Sequence, residues 1–205
     1  MTAAVAAVAL DLSNVGAAFG DPPLASQAAF RAALEALARP GRIQRVISDA
    51  QHPGGAASSA AALALALLDP DCTLWLAPRL AQGSAAAWLR FHTGCRIVSE
   101  LREAQFLWSD ADQLPPLETL PQGSEFEPES AATCLVQVDA LERGAGWQLS
   151  GPGIERTERL TAHGLSAAFV AQWRANHASF PRGVDLLLCA GEYVAGLPRT
   201  TAIEV

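Results

Sequence analysis

The sequence predicts an α/β fold, a mixed β-sheet with helices packed on it. In the first half, helical patterns alternate with short apolar runs, an order that implies parallel strands joined by helices. In the second half, strand-like runs follow one another, which favours antiparallel pairing. Half of the residues are hydrophobic and only 17% are charged, so the chain has enough apolar surface to bury a core. The length of 205 residues fits a single domain, residues 1–205.

The chain begins with an irregular arm, residues 1–23, which Gly and Pro interrupt near its end. The first helix follows in "SQAAFRAALEALARPGRI". Ser26 is a suitable N-cap for it. Phe30, Leu34 and Leu37 recur at i, i+4 and i+7, the spacing of an apolar stripe on a helix. The Pro-Gly pair that follows stops the helix.

Strands and helices continue to alternate as far as about residue 110. The second helix is apolar on nearly every face, which places it between layers, and Gly94 closes the third. The stretches are, in order, the strand "RIQRVI", the helix "GGAASSAAALALALLDPD", the strand "CTLWLAP", the helix "GSAAAWLRFHTG" and the strands "CRIVSE" and "AQFLWSD".

The second half begins with an acidic, proline-rich loop region, residues 110–130, which predicts a helical turn and a surface loop. Beyond it, "AATCLVQVDAL" and "GWQLSGPGI" predict two strands that Gly144 to Gly146 join into an antiparallel hairpin. The stretch "RTERLTAHG" predicts another strand.

One helix and the strands that finish the sheet make up the remainder. In the helix "SAAFVAQWRANHASFP", Ser166 is a candidate N-cap, and Phe169 and Trp173 share a face at i, i+4. The apolar runs "VDLLLCAG", "YVAGL" and "TAIEV" predict the last strands. We expect the Trp173 helix and the strand 184–190 to form the core.

Composition excludes several functions. The formal net charge is −7 and no basic cluster stands out, which argues against nucleic acid as a partner. All 14 cationic residues are arginine. Without lysine the chain cannot complete a Walker A phosphate loop, and it cannot form a Schiff base with pyridoxal phosphate (PLP). We therefore expect no cofactor.

The cysteines and the N-terminal stretch bear on metal binding and location. None of the four cysteines forms a CxxC pair or a zinc-type spacing, so we expect no metal site. Cys134 and Cys189 lie in apolar runs and are interpreted as small buried hydrophobic residues. The first apolar stretch ends at Leu10, lacks a basic flank and is too short to span a bilayer. These features predict a reduced, cytoplasmic protein with no membrane partner.

Several residues suggest chemistry, but each has a simpler explanation. The "LSGPGI" stretch could bind an anion through its amides, although a tight turn ending a strand is the simpler interpretation. His92 and His177 lie in predicted helices without a nucleophile or carboxylate at a suggestive spacing. Glu125, Glu127 and Glu129 predict a solvated loop rather than an acid–base pair. We therefore assign no catalytic residue.

The stretch "LPRTT" holds the candidate anion or partner contact, Arg199, Thr200 and Thr201. Pro198 fixes φ and would place Arg199 at the start of a strand, so Arg199 and Thr201 would point to one face. A guanidinium offers forked donors suited to carboxylate or phosphate. Three alternatives stay open: an ion pair within the chain, a contact with a partner, and a bound ligand anion.

Four motifs in this order resemble the PhnH family, a subunit of the bacterial carbon–phosphorus lyase system for phosphonate breakdown. They are "SQAAFRAALEALARPGRI", "LSGPGI", "WRANHASFPRGVDLLL" and "LPRTTAIEV", and the resemblance runs from about Phe19 to Val205. It implies a fold similar to the large domain of PLP-dependent transferases, but without the cofactor. The absence of lysine agrees with this. The family offers no securely assigned catalytic residue to carry over.

The resemblance also implies partners and a function. It implies a homodimer in isolation, a core complex with PhnG, PhnI and PhnJ, and a functional link to PhnL. With PhnG, PhnI and PhnL, the family is tied to the step in which a phosphonate such as methylphosphonate displaces adenine from MgATP. We expect a non-catalytic or accessory subunit of this transfer of ribose triphosphate. The alternative is a ligand-binding or catalytic subunit that holds a phosphonate or phosphate through Arg199, Thr200 and Thr201.

Overall fold

The computed structural model describes residues 15–205. Residues 1–14, the larger part of the predicted irregular arm, lie outside the described residues. Residues 15–21 contain no helix or strand. The first helix begins at Pro22, just inside the stretch predicted to be irregular.

The described chain contains five α-helices and ten β-strands. The helices are α1 (Pro22–Ala38), α2 (Ser58–Leu67), α3 (Pro78–Gln82), α4 (Ala85–Thr93) and α5 (Phe169–Ala178). The strands are β1 (Ile43–Arg45), β2 (Thr73–Leu76), β3 (Arg96–Ile97), β4 (Phe106–Asp110), β5 (Thr133–Gln137), β6 (Ala140–Ser150), β7 (Glu158–His163), β8 (Asp185–Ala190), β9 (Tyr193–Leu197) and β10 (Ala202–Glu204). Between β4 and β5, three short 3-10 turns interrupt the acidic, proline-rich region: Ala111–Gln113, Leu117–Thr119 and Pro128–Ser130.

Seven strands form a central mixed sheet, in the order β1-β9-β8-β5-β4-β2-β3. The strands from β8 to β3 in that order are parallel, and β9 and β1 extend the sheet antiparallel. The predicted mixed sheet with packed helices is therefore confirmed. The other three strands form a small antiparallel sheet in the order β10-β6-β7. The stretch "TAIEV" belongs to this small sheet, so the prediction that it finishes the central sheet is wrong.

The central sheet carries a hydrophobic core on each face. Along β8, Leu186 and Leu188 face one core, whereas Leu187 and Cys189 face the other. Helices α1, α2 and α4 cover the core of Leu187 and Cys189, and α5 and the small sheet cover the core of Leu186 and Leu188. Because the middle strands are buried on both faces, their sequences are continuous apolar runs, as is usual for parallel strands.

The N-terminus of α1 is capped by Asp21, whose carboxylate accepts a hydrogen bond from the Leu24 N–H at 3.3 Å. Proline occupies the first helical position, where its missing N–H costs nothing. The prediction of Ser26 as the N-cap is therefore wrong, because an equally good capping residue followed by proline stands five residues earlier.

The face by which α1 packs on the sheet is made of alanines, including the buried Ala29 and Ala36. Phe30 and Leu34 of the predicted apolar stripe are 46% and 52% exposed. The cause is Gly196 in β9, where an added Cβ would collide with the carbonyl oxygen of Ala36. The helix backbone lies directly on the sheet, only alanine fits between them, and the larger side chains are turned to solvent.

Strand β6 runs without interruption through Gly144 and Gly146, so the predicted hairpin there is wrong. The two glycines have φ of 85° and 76° and form a β-bulge, with Arg143 and Trp147 both opposite Leu160 of β7. The break in the chain comes earlier, between β5 and β6, where it leaves the central sheet for the small one.

Helix α5 packs through its aromatic residues, as predicted. Phe169 and Trp173 are both buried, with ring centroids 6.2 Å apart, and the Trp173 Nε1–H donates to the carbonyl of Thr201 at 2.8 Å. Ser166 is not the N-cap; that position is Ala168, which makes no side-chain capping bond. Together with β8, this helix forms part of the core, which confirms the expectation.

The cysteines in the apolar runs are confirmed as buried, and all four cysteines are free. Burial raises the pKa of the Cys189 thiol to about 12 and raises the pKa of Cys134 as well. Both therefore stay protonated at neutral pH and act as small apolar side chains. Among the described residues, no helix combines the length and apolar character needed to cross a membrane.

We expect Trp173→Ala to lower the free energy of unfolding by roughly 3–5 kcal/mol, because it empties a fully buried site. Chemical denaturation measures this change. Phe126→Ala is the matched control, since Phe126 is 95% exposed and its removal should have little effect. Equal stability of the two variants would contradict the packing described here.

Candidate functional site

The stretch that holds the predicted contact residues forms a turn between β9 and β10. The Thr201 N–H donates to the carbonyl of Pro198 at 2.8 Å, which closes the turn. Strand β10 begins only at Ala202. The prediction that Pro198 starts a strand at Arg199 is therefore wrong, and Arg199 and Thr201 do not share a strand face.

Arg199 is bound inside the protein. Its Nε–H donates to Asp185 Oδ1 at 3.1 Å and its Nη2 to Oδ2 at 2.5 Å, while Nη1 donates to the carbonyls of Pro128 and Pro181 at 2.7 and 3.3 Å. Only 12% of its side chain is exposed. Since a guanidinium has five N–H groups, about one is left over. Of the three alternatives, the ion pair within the chain is the one the structure shows for Arg199.

The two threonines do not join Arg199 at a common surface. Thr200 is half-buried beside Phe180 and Pro198 at a shallow apolar depression. Thr201 is fully buried, and its carbonyl accepts the Trp173 bond. A contact of this turn with an anion or a partner stays a prediction, and Thr200 is its most accessible member.

The four motifs meet around this turn, and we call that meeting point the motif junction. A Cβ at Gly153 of "LSGPGI" would collide with the carbonyl oxygen of Ala38 at the end of α1, and one at Gly151 with that of Thr200. His177 places Nδ1 2.9 Å from the carbonyl oxygen of Arg199. Through these contacts α1, α5 and both sheets pack against one another. The "LSGPGI" glycines serve close backbone packing here, with φ of 133° and 82°.

The motif junction lies at the amino ends of the parallel strands. Asp185 is the first residue of β8 and pairs with Thr133, the first residue of β5. In open α/β sheets, ligands bind outside the carboxyl ends of the strands. The position of the junction is therefore typical of a structural role.

Residues that the sequence analysis did not combine line a cleft at the opposite, carboxyl edge. This strand-end cleft has a volume of about 610 Å³ and is lined mainly by Arg79, Asp110, Asp112, Gln137, Asp139 and the loop 55–57. Asp110 ends β4, Gln137 ends β5, and Arg79 follows β2 in α3. The strand order also changes direction here, because β3 and β4 lie on opposite sides of β2. Such a switch point is where α/β sheets usually bind ligands.

Gln137 holds the cleft together. Its Oε1 accepts the Ala57 N–H at 2.7 Å, and its Nε2 donates to the carbonyl of Gly55 at 3.2 Å and to Asp110 Oδ1 at 2.5 Å. One side chain thus joins the loop before α2 to the end of β4. Both sides of the cleft are set by hydrogen bonds that have little access to solvent.

The cleft carries more negative than positive charge. Arg79 donates from Nη2 to Asp112 at 2.6 Å and lies 3.2 Å from Asp110 Oδ2 through Nη1. The hydrogen bond to Asp112 and the nearby charge of Asp110 raise the pKa of Arg79. Asp139 adds a third carboxylate. Three carboxylates against one guanidinium leave the cleft negative.

The sequence did carry a signal for this cleft. Asp110 directly follows the apolar run "FLWS", Gln137 and Asp139 follow "CLV", and "GG" precedes the second helix. Because parallel strands end at the same edge of a sheet, polar residues after successive apolar runs predict convergence there. Asp110 and Asp112 were interpreted as part of the loop region 110–130, whereas Asp110 ends β4 and Asp112 lies in the 3-10 turn that follows it.

The other candidate residues remain separate. His92 places Nε2 2.8 Å from the carbonyl oxygen of Gly16. Glu125, Glu127 and Glu129 lie in the exposed loop, as predicted. Within residues 15–205, no group of three His, Cys, Asp or Glu side chains is arranged to hold a metal ion.

We expect Asp185→Asn to lower the free energy of unfolding by roughly 2–4 kcal/mol, because it leaves the largely buried Arg199 guanidinium without its counter-charge. The matched control is Glu192→Gln, which removes a carboxylate from the exposed pair with Arg45 and should cost less than about 1 kcal/mol. Denaturant titration of both variants measures the difference. A similarly small loss in both would show that the Arg199 pair does not stabilise the junction.

Comparison with known proteins finds a family model and two relatives that agree with one another. The family model described as "Bacterial phosphonate metabolism protein (PhnH)" matches residues 17–204. The chain is 38% identical over 188 residues, 91% of its length, to the alpha-D-ribose 1-methylphosphonate 5-triphosphate synthase subunit PhnH of Rhizobium meliloti (strain 1021), and covers 94% of that relative. It is 34% identical over 180 residues to HtxG of Stutzerimonas stutzeri, which carries the name of a C-P lyase subunit protein. That match covers 87% of this chain and 86% of HtxG. The chain belongs to the PhnH family of bacterial phosphonate metabolism proteins.

Proposed function

We propose that this chain is an accessory, non-catalytic subunit of the enzyme complex that transfers the ribose triphosphate group of MgATP to a phosphonate. In this reaction a phosphonate such as methylphosphonate displaces adenine. The supporting observation is the 38% identity, along 91% of the chain, to a relative named as a subunit of that synthase. The HtxG relative, named for a C-P lyase, supports the same pathway.

The role of the family motifs supports an accessory function. The residues by which the sequence resembles the family meet at the motif junction, where Arg199 binds Asp185 and the glycines of "LSGPGI" pack on other backbone segments. These contacts stabilise the fold and present no reactive group. Because its family motifs stabilise the fold, this subunit is suited to an accessory role in a complex.

The alternative function, a grip on phosphonate or phosphate through Arg199, Thr200 and Thr201, has less support. Binding of an anion needs guanidinium N–H groups that point to a ligand. In Arg199 the Nε–H, both Nη1 donors and one Nη2 donor already serve Asp185, Pro128 and Pro181. The accessory role is therefore the better proposal.

The partners follow from the same proposal. We propose assembly with PhnG, PhnI and PhnJ, a functional requirement for PhnL, and a homodimer when the chain is isolated. The net charge of −7 favours protein partners over nucleic acid. The chain has no lysine to hold PLP as an aldimine, so we propose that it works without a cofactor in the cytoplasm.

We expect this chain to co-purify with the other subunits and to be required for their reaction. The measurement is adenine release from MgATP and methylphosphonate by the remaining subunits, with and without this chain. Release should fall to background when the chain is left out and return when it is added. Failure to co-purify, or full release without it, would reject the proposal.

A second comparison separates an accessory role from a catalytic one. Thr200→Ala changes the accessible member of the predicted contact and should leave adenine release unchanged in a complex that still assembles. Loss of release by an assembled complex with this variant would favour the ligand-holding alternative. Calorimetric titration of the isolated chain with ATP and with methylphosphonate adds an independent measurement, for which we expect no binding heat.

A further inference from the structure

We propose that Cys72 and Cys95 are a modification site, a pair of thiols that a small disulfide oxidises to a reversible disulfide bond. The two residues directly precede β2 and β3, at the edge of the central sheet that β3 forms. The inference rests on strand register, burial and access, and it does not depend on the proposed place of the chain in a complex.

The two cysteines stand opposite each other. Thr73 of β2 pairs with Arg96 of the parallel strand β3, and the Arg96 N–H donates to the carbonyl oxygen of Cys72 at 3.0 Å. One residue earlier in both strands, the same register places Cys72 beside Cys95. Adjacent strands are about 4.8 Å apart, and the Cα atoms of disulfide-bonded cysteines are usually about 4.4–6.8 Å apart. The backbone spacing therefore suits a disulfide.

Both side chains lie on the same face of the sheet. Side chains alternate along a strand, and Leu74 and Ile97, each two residues further along, both pack in the core that α2 and α4 cover. Cys95 belongs to that core and Cys72 packs against it. Burial raises the pKa of the Cys72 thiol, and the nearby Cys95 adds to the rise, as expected for neighbouring thiols.

The pair has room for the small movement that bond formation needs. The two Cβ atoms must approach to about 3.8 Å. Strand β3 is only two residues long and is hydrogen-bonded on one side alone, because it ends the sheet. The Cys72 Sγ makes a long contact of 3.9 Å with the carbonyl oxygen of Leu67, and a thiol is a weak donor. Little is lost when this sulfur turns towards Cys95.

Access to solvent selects which thiol reacts first. The four cysteines all lie within residues 15–205 and are free. Cys72 is half-buried, Cys95 is 2% exposed, and Cys134 and Cys189 are fully buried. The register of β5 and β8 pairs Cys134 and Cys189 with other residues. An oxidant therefore meets Cys72, and Cys95 is the thiol opposite it.

Oxidised glutathione, a small disulfide, oxidises the pair in two exchange steps. The Cys72 thiolate attacks one sulfur of glutathione disulfide, so that a bond from Cys72 to glutathione forms and one glutathione thiolate leaves. The Cys95 thiolate then attacks the Cys72 sulfur, forms the bond between the two cysteines and displaces the second glutathione. The protein loses two protons and two electrons, which the two glutathione thiols carry away. Excess dithiothreitol reverses the reaction.

The test is incubation of the full chain with excess oxidised glutathione at mildly alkaline pH. Burial raises the pKa of both thiols, and the reacting thiolate is more abundant there than at neutral pH. Thiol titration after denaturation and mass spectrometry of peptides measure the products. The variants are Cys72→Ala and Cys95→Ala, with Cys134→Ala as the matched control. Thermal denaturation shows whether each variant is folded.

We expect the unsubstituted chain and Cys134→Ala to lose two free thiols and two hydrogens in mass, with a peptide that joins Cys72 to Cys95. Dithiothreitol should restore both thiols. Cys95→Ala should stop after the first step and carry one glutathione on Cys72. Cys72→Ala should keep all of its thiols.

Three results would overturn the inference. The first is no loss of thiols in the folded chain under conditions that oxidise the chain unfolded in denaturant. The second is a lasting glutathione adduct on Cys72 of the unsubstituted chain, since Cys95 would then be out of reach. The third is a disulfide between two copies of the chain, seen by electrophoresis without reductant. The peptide map of the unsubstituted chain decides the question even where a variant fails to fold.

Discussion

The ion pair between Arg199 and Asp185 links the two sheets of this protein at their junction. Asp185 begins β8 in the central sheet, and Arg199 lies in the turn that leads to β10 in the small sheet. The same guanidinium reaches the carbonyls of Pro128 and Pro181, so four segments of chain converge on it. A lysine could not replace it, because a compact ammonium lacks the planar fork of donors.

The residues by which the sequence resembles its family and the polar residues that line an open cleft lie at opposite edges of the central sheet. Family resemblance depends on residues at the amino edge of the central sheet, where close backbone contacts leave no room for variation in side-chain size. The carboxyl edge holds carboxylates, an amide and a guanidinium around open space. A family assignment from motifs therefore describes the framework of such a protein, whereas its binding chemistry has to be found from the topology of the sheet.

The alternation of helices and strands could be predicted because each element has a clear period or a continuous apolar run. The orientation of α1 could not, because it depends on Gly196, which meets the helix only after β9 has formed beside it. The hairpin predicted at Gly144 and Gly146 was wrong for a related reason. A positive φ at glycine suits a β-bulge as well as a hairpin turn. The partner of Arg199 was left open because carboxylates and carbonyls at several distances along the chain could have paired with it.

Gln137 has a consequence for the mechanics of the strand-end cleft. Its two ends bind the start of α2 and the end of β4, so the opening between them cannot widen or narrow without breaking hydrogen bonds of 2.7 and 2.5 Å. The cleft therefore keeps one width unless these hydrogen bonds break, which distinguishes it from a cleft that closes around its ligand.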